Sequence, residues 1–375
     1  MTTGFAARVG AAKGMAYALR AALWLGLFAA TGARAEEPAV PESEPATPAV
    51  EEALASEELA PEPFVAELLE PASSACDDLW LVSTRASRDP CRPPHPERMR
   101  YWRCVDRNWV ESDLEAFTAS ATPQAPVVVW VHGNNMPPSS AQASGMLVHR
   151  LVTRCHTGPM RFVIWSWPSE RWTSSVVDDV RIKAPVSESQ GYFVAWLVDR
   201  LPVDTNVALI GYSYGARVIS AGMHMMAGGV IRGRTLEERV HPERMPPRVL
   251  LMAAAQDSNC FARGGAYDLA LTQLEELVVM RNRRDMVLRC YPRLEQPGGP
   301  PALGQAGLTS PHGDWLFPIS RSQVRQINVG PQVGLHHSLE YYLESPEVAA
   351  RMRYFVRQSM PAPPDAEPHL PQNGR

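Results

Sequence analysis

Gly211-Tyr212-Ser213-Tyr214-Gly215 follows directly on the apolar run Val207-Ala208-Leu209-Ile210 and precedes a stretch of small residues that reads as a helix. Strand, tight turn and helix in that order form a nucleophile elbow, in which a serine projects from a strained bend at the edge of a sheet. The turn is too crowded for side chains at its flanks, which explains glycine at 211 and 215. Ser213 is therefore the candidate nucleophile, and the rest of the chain must supply a base, an acid and an oxyanion hole.

Working outward, other short apolar runs recur between longer amphipathic stretches. They are Val127-Val128-Val129-Trp130-Val131, Phe162-Val163-Ile164-Trp165, Val249-Leu250-Leu251-Met252 and Leu277-Val278-Val279-Met280. Continuous runs of this length fit strands buried on both faces, as in a parallel sheet. Ser140 to Thr153 and Ser189 to Leu201 carry apolar residues at helical spacing. Ser345-Pro346-Glu347 reads as an N-cap with proline at the first helical position, opening a final helix through Val356. Strands alternating with helices predict an α/β fold with a mostly parallel central sheet flanked by helices. Leu79 to Thr84 and Met99 to Trp102 read as early antiparallel edge strands.

The chain has 375 residues, 45% apolar and 20% charged, with a formal net charge of −4. That is ample for a sizeable core, and the mild acidity gives no ground for a nucleic-acid partner. The first 35 residues combine Arg8, Lys13 and Arg20 with an apolar stretch from Ala21 to Thr31 and the A-x-A site Ala33-Arg34-Ala35. They read as an export signal cleaved near Ala35. The apolar stretch falls short of the roughly 20 residues of a bilayer-spanning helix, so no stable membrane span is expected. Residues 36–71 are rich in Pro, Glu and Ala and read as a disordered linker, as does the 360–375 tail. One α/β domain is expected over 72–359, with a cysteine-containing extension at 72–122.

Six cysteines, Cys76, Cys91, Cys104, Cys155, Cys260 and Cys290, form an even set in a chain expected to be exported, so disulfides are expected. The pairing favoured is Cys260 with Cys290, each placed just past a strand on one edge of the sheet. No C-x-x-C spacing is present, and neither a metal nor another cofactor is expected.

After Ser213 the chain offers carboxylates past two strands, Asp257 and Asp285, and then the pair His336-His337. Asp285, after the last apolar run, is preferred as the acid and Asp257 is the alternative. His337 is preferred over His336 as the base. One oxyanion donor is the backbone N–H of Tyr214, at the start of the helix. The other is expected from the loop after Val131, where Gly133 permits close approach and Asn134 is the candidate donor. Trp165, Trp167, Trp172, Tyr212 and Tyr214 are candidates for an acyl pocket, with core packing an equal alternative for the tryptophans. Residues 170–190 are a candidate cap.

These residues resemble the α/β-hydrolase superfamily, and within it a bacterial branch of exported serine hydrolases. The resemblance rests on Val129-Trp130-Val131-His132-Gly133-Asn134, Trp165-Ser166-Trp167-Pro168-Ser169, the elbow, and His337 ahead of Tyr341-Tyr342-Leu343, and spans about Pro126 to Phe355. Many relatives carry histidine before the nucleophile. Tyr212 stands there instead, and only its backbone is expected to shape the turn. The resemblance implies an α/β-hydrolase fold and hydrolysis of a small-molecule ester or acylated substrate through an acyl-enzyme and a Ser-Asp-His triad. The alternatives are a catalytically inactive binding protein of the cell envelope and an acyltransferase using the same residues.

Overall fold

Nine strands form one sheet in the order β3-β2-β1-β5-β4-β6-β7-β8-β9. The strands are β1 (Asp78–Ser83), β2 (Arg100–Val105), β3 (Asn108–Ser112), β4 (Val127–Val131), β5 (Arg161–Ser166), β6 (Val207–Tyr212), β7 (Arg248–Met252), β8 (Glu276–Arg281) and β9 (Val324–Asn328). The computed structural model describes residues 78–359, apart from 123–124, 155–157, 237, 296 and 311–322. The expected signal, linker and tail lie outside the described residues, as do Cys76 and Cys155.

The seven strands from β1 through β9 in the sheet order pair in parallel; only the β1–β2 and β2–β3 pairings are antiparallel, so β2 alone runs against the rest. β4, β5 and β7 are buried along their whole length, as their β-branched and aromatic runs require. Leu79 to Thr84 therefore departs from the expected antiparallel edge. β1 pairs parallel with β5, Leu79 opposite Phe162 and Leu81 opposite Ile164, and is antiparallel only to β2. The edge belongs instead to β3, a mostly solvent-facing strand with no apolar run to betray it.

Between the strands lie α1 (Leu114–Ala119), α2 (Pro138–Thr153), α3 (Val176–Asp199), α4 (Tyr214–Met226), α5 (Met286–Leu294), α6 (Leu303–Ala306), α7 (Gly330–Val333), α8 (Leu339–Glu344) and α9 (Pro346–Gln358). α3 packs along α4, and α9 packs with α2. Ser345 caps α9 by accepting from the Val348 N–H at 3.3 Å, as its sequence predicts. Among the described residues no helix is long and apolar enough to cross a membrane.

α3 runs through Pro185 for 24 residues, so the stretch proposed as a cap is in large part a packed helix. Lys183, fully buried, is met by Asp179 at 3.2 Å and by the carbonyl of Ser169 at 3.4 Å, with Trp172 4.5 Å below its ammonium. Those satisfied polar groups disguise a core helix as a solvated one.

Parallel strands deliver their following loops to one edge. β4, β6, β8 and β9 thus present residues 132–136, Ser213, Asp285 and His337 on the same rim. The chain passes from β4 to β5 on one side and then crosses to β6 on the other. Such a switch in strand order opens a crevice at the carboxyl ends of the strands. A mostly parallel sheet flanked by helices, with the elbow after central strand β6, is the α/β-hydrolase fold.

Candidate active site

Ser213 is the N-cap of α4 and holds φ 53° and ψ −117°, a conformation that L-residues rarely adopt. The bend is fixed on both sides, because the Ser213 N–H donates to the Met252 carbonyl at 3.0 Å and its carbonyl accepts from Ala255 at 3.3 Å. A Cβ on Gly215 would sit 2.0 Å from the Val131 carbonyl oxygen, so only glycine lets α4 start against β4.

The imidazole of His337 reaches this hydroxyl. Its Nε2 lies 3.1 Å from Ser213 Oγ, and its Nδ1 lies 2.8 Å from Asp285 Oδ2. All three side chains are shielded from solvent, Asp285 completely. An acid on one ring nitrogen fixes the other as the acceptor for the hydroxyl proton. His336 turns away and stacks on Tyr341 at 3.6 Å between ring centroids. Burial lowers its pKa, against a smaller upward pull from Asp285. Asp257 is bound elsewhere, accepting from the Tyr291 hydroxyl at 3.0 Å. Of the two acids and two histidines, the structure brings Asp285 and His337 to Ser213.

The loop after β4 lies against the nucleophile. A Cβ on Gly133 would be 3.1 Å from Ser213 Cβ and 3.1 Å from Tyr212 Cδ1. Arg85 pins the far end of this loop, donating to the Met136 carbonyl at 2.8 Å and to Ser166 Oγ at 2.7 Å. The near end is held by His132, which directly follows β4. Its Nδ1 donates to the Gly133 carbonyl at 2.8 Å, while Nε2 accepts from the Trp167 N–H at 3.3 Å. Full burial drives the His132 pKa down to about 3, outweighing the upward pull of the Gly133 carbonyl, so the ring is neutral at pH 7.

Trp165 and Trp167 are completely buried and belong to the core, which removes them from the acyl-pocket candidates. Trp167 Nε1 donates to the His132 carbonyl at 2.8 Å and so serves the loop from beneath. Tyr214 points inward rather than into a pocket. Its hydroxyl donates to Glu295, which in turn pairs with Arg217 at 3.0 Å. Arg217 lies 4.8 Å over the Tyr214 ring and donates to the Ala255 carbonyl at 2.9 Å. Tyr212 does more than lend its backbone to the turn, since its hydroxyl donates to the His337 carbonyl.

The expected Cys260–Cys290 disulfide is absent, and both thiols are free and buried. Cys260 lies in the turn after β7, where Gln256 Nε2 donates to its sulfur at 3.3 Å. Cys290 is not at a strand end but inside α5. Burial raises the pKa of both, so neither is poised as a thiolate. Among the described residues no group of three or more His, Cys, Asp or Glu side chains is arranged to hold a metal ion.

The sequence matches no protein-family model and no curated protein. Among solved structures it is similar to esterase B from Lactobacillus rhamnosis, at 12% identity over 83% of this chain and 94% of that one, with a TM-score of 0.39. It is also similar to the catalytic core domain of acetyl xylan esterase from Trichoderma reesei, at 12% identity over 64% of this chain and 100% of that one, with a TM-score of 0.35. A third is a cutinase-like protein from Cryptococcus sp., at 14% identity over 64% of this chain and 96% of that one, with a TM-score of 0.29. Likenesses this distant add no weight, and the fold rests on its own strand order and elbow.

Proposed function

We propose that the protein is a serine hydrolase that cleaves an ester through an acyl-enzyme intermediate. The observation that carries this reading is the chain of contacts from Ser213 Oγ to His337 Nε2 at 3.1 Å and from His337 Nδ1 to Asp285 Oδ2 at 2.8 Å. Such a chain does in three atoms what an isolated hydroxyl cannot. His337 takes the proton as Ser213 Oγ forms its bond to the substrate carbonyl carbon, and Asp285 holds the imidazolium that results.

The carbonyl oxygen becomes an oxyanion and turns toward the backbone N–H groups of Tyr214 and Asn134. The first N–H groups of a helix have no partner within it, and Tyr214 opens α4. Gly133 keeps the second donor's loop close to Ser213. As the tetrahedral intermediate collapses, His337 returns its proton to the leaving alkoxide and the acyl group remains on Ser213. Water, deprotonated by the same imidazole, then releases the acid and restores the hydroxyl.

A series of p-nitrophenyl esters of increasing acyl length tests the reading. Wild-type protein is expected to turn over at least one of them, and Ser213→Ala to lose on the order of a thousandfold or more in kcat. Equal turnover by the two proteins removes Ser213 from the chemistry.

A further inference from the structure

The two tyrosines that flank Ser213 leave the elbow in different directions, and Tyr212 goes to the histidine. Its hydroxyl donates to the backbone carbonyl of His337. Its ring faces the imidazole, with centroids 5.7 Å apart and planes tilted by 36°. The same ring stacks on Trp130 of β4 at 6.3 Å and meets Tyr342 of α8 edge-on at 6.2 Å. On its remaining side it lies directly against Gly133, where an added Cβ would come within 3.1 Å of Tyr212 Cδ1. One side chain, at the end of the strand that leads into Ser213, therefore touches β4, the loop after it that bears the candidate oxyanion donor, and the loop bearing the base.

His337 sits on a short connection between α7 and α8, where Gly334 has φ 72°. Other bonds also steady that connection, among them a longer one of 3.5 Å from Asn282 Nδ2 to the His336 carbonyl. Asn282 Nδ2 donates to the Gly334 carbonyl at 2.9 Å, and the Met286 N–H donates to the Leu335 carbonyl at 3.1 Å. These act upstream of the histidine. At residue 337 itself, Asp285 holds the ring and the Tyr212 hydroxyl holds the main chain. Nothing in the packing of an aromatic ring requires that hydroxyl, since a phenylalanine would fill the same space against Trp130, Tyr342 and Gly133.

We propose that Tyr212 is a positioning residue, whose hydroxyl fixes the His337 main chain so that Nε2 stays in register with Ser213. The proposal rests on the ester-hydrolase reading, because it assigns Tyr212 a part in aligning the same base. Tyr212 itself touches no reacting atom. A misplacement of the base by a fraction of an ångström lowers the rate of proton transfer while leaving substrate binding alone.

Tyr212→Phe isolates the hydroxyl, and two readouts decide the matter. With a p-nitrophenyl ester, kcat is expected to fall roughly tenfold, the loss of one aligning hydrogen bond, with KM within about twofold of wild type. In the proton NMR spectrum, the downfield resonance of the His337 Nδ1–H, assigned by its loss in His337→Gln, is expected to broaden or shift. Tm is expected to change by no more than a few degrees. Unchanged kcat with an unaltered resonance overturns the proposal. So does a loss carried by KM or by a large fall in Tm, since either gives the tyrosine a merely structural or binding role. If wild-type protein cleaves no ester, the hydrolase reading fails by itself, and the resonance still shows whether the tyrosine holds the imidazole.

Discussion

Asp285 divides its two oxygens between a helix end and the His337 ring. Oδ1 accepts from the Leu288 N–H at 2.9 Å and caps α5, while Oδ2 lies 2.8 Å from His337 Nδ1. A helix cap and a triad acid look alike in sequence, each being an aspartate after a strand and before a helix, and Asp285 has the contacts of both. The division makes the two roles separable. Asparagine caps a helix as well as aspartate does but leaves the imidazole in the wrong tautomer. Asp285→Asn is therefore expected to keep a Tm close to wild type and to lose on the order of ten-thousandfold in kcat. Steady-state kinetics and a thermal melt on the same sample check it. Asp257→Asn, whose partner is the Tyr291 hydroxyl, is expected to stay within about threefold of wild-type kcat, because an amide oxygen accepts that bond equally well.

At the scale of elements, the elbow depends on how α4 is held from behind. α3 and α4 cross where two glycines meet. A Cβ on Gly191 would lie 2.5 Å from the Gly222 nitrogen and 2.8 Å from the Val218 carbonyl oxygen, both on α4. Gly191→Ala must part the helices, and overpacking of this kind costs about 1–3 kcal/mol, to be read as a lowered midpoint in urea. α4 is also tied to α5 through Arg217 and the following Glu295, a pair largely withdrawn from water. Glu295→Ala leaves the guanidinium with Glu188, at 4.0 Å, as its remaining carboxylate, and is expected to cost about 1–3 kcal/mol by the same measurement. Elements were legible in the sequence where burial imposed a continuous apolar run, as in β4, β5 and β7. They were illegible where a strand keeps one face in water, as in β3 and β9. The part of α3 before Ser189 was hidden for the opposite reason, because Asp179, Lys183 and Ser187 are polar yet buried.

For the whole molecule, burial of two histidines couples stability to pH. His132 has its pKa lowered to about 3 and His149 to about 4, in each case chiefly by loss of solvent. In the unfolded chain both bind a proton near pH 6.5, so between that pH and the folded values the unfolded state holds more protons. Folding stability is therefore complete above about pH 7 and falls as pH drops. Each ring contributes a loss of about 2 kcal/mol by pH 5. Urea denaturation at pH 7.5 and pH 5 is expected to show that loss, and His149→Phe to remove about half of the histidine contribution.

The candidate site was largely legible because its chemistry is ordered along the chain: an elbow serine and then an acid, each after an apolar run, and then a histidine pair. Side-chain directions were not legible, since they depend on where neighbouring strands place their partners. Tyr212 meets His337 across 125 positions of sequence, and Tyr214 turns inward to Glu295. Cys260 and Cys290 are unpaired, and Cys290 lies within a helix rather than just past a strand. Labelling with a fluorophosphonate, followed by peptide mapping, tests the central claim most directly. A single adduct on Ser213, absent after His337→Gln, is the predicted result. Wild-type protein that stays unlabelled at Ser213, or an adduct on another residue, contradicts the account.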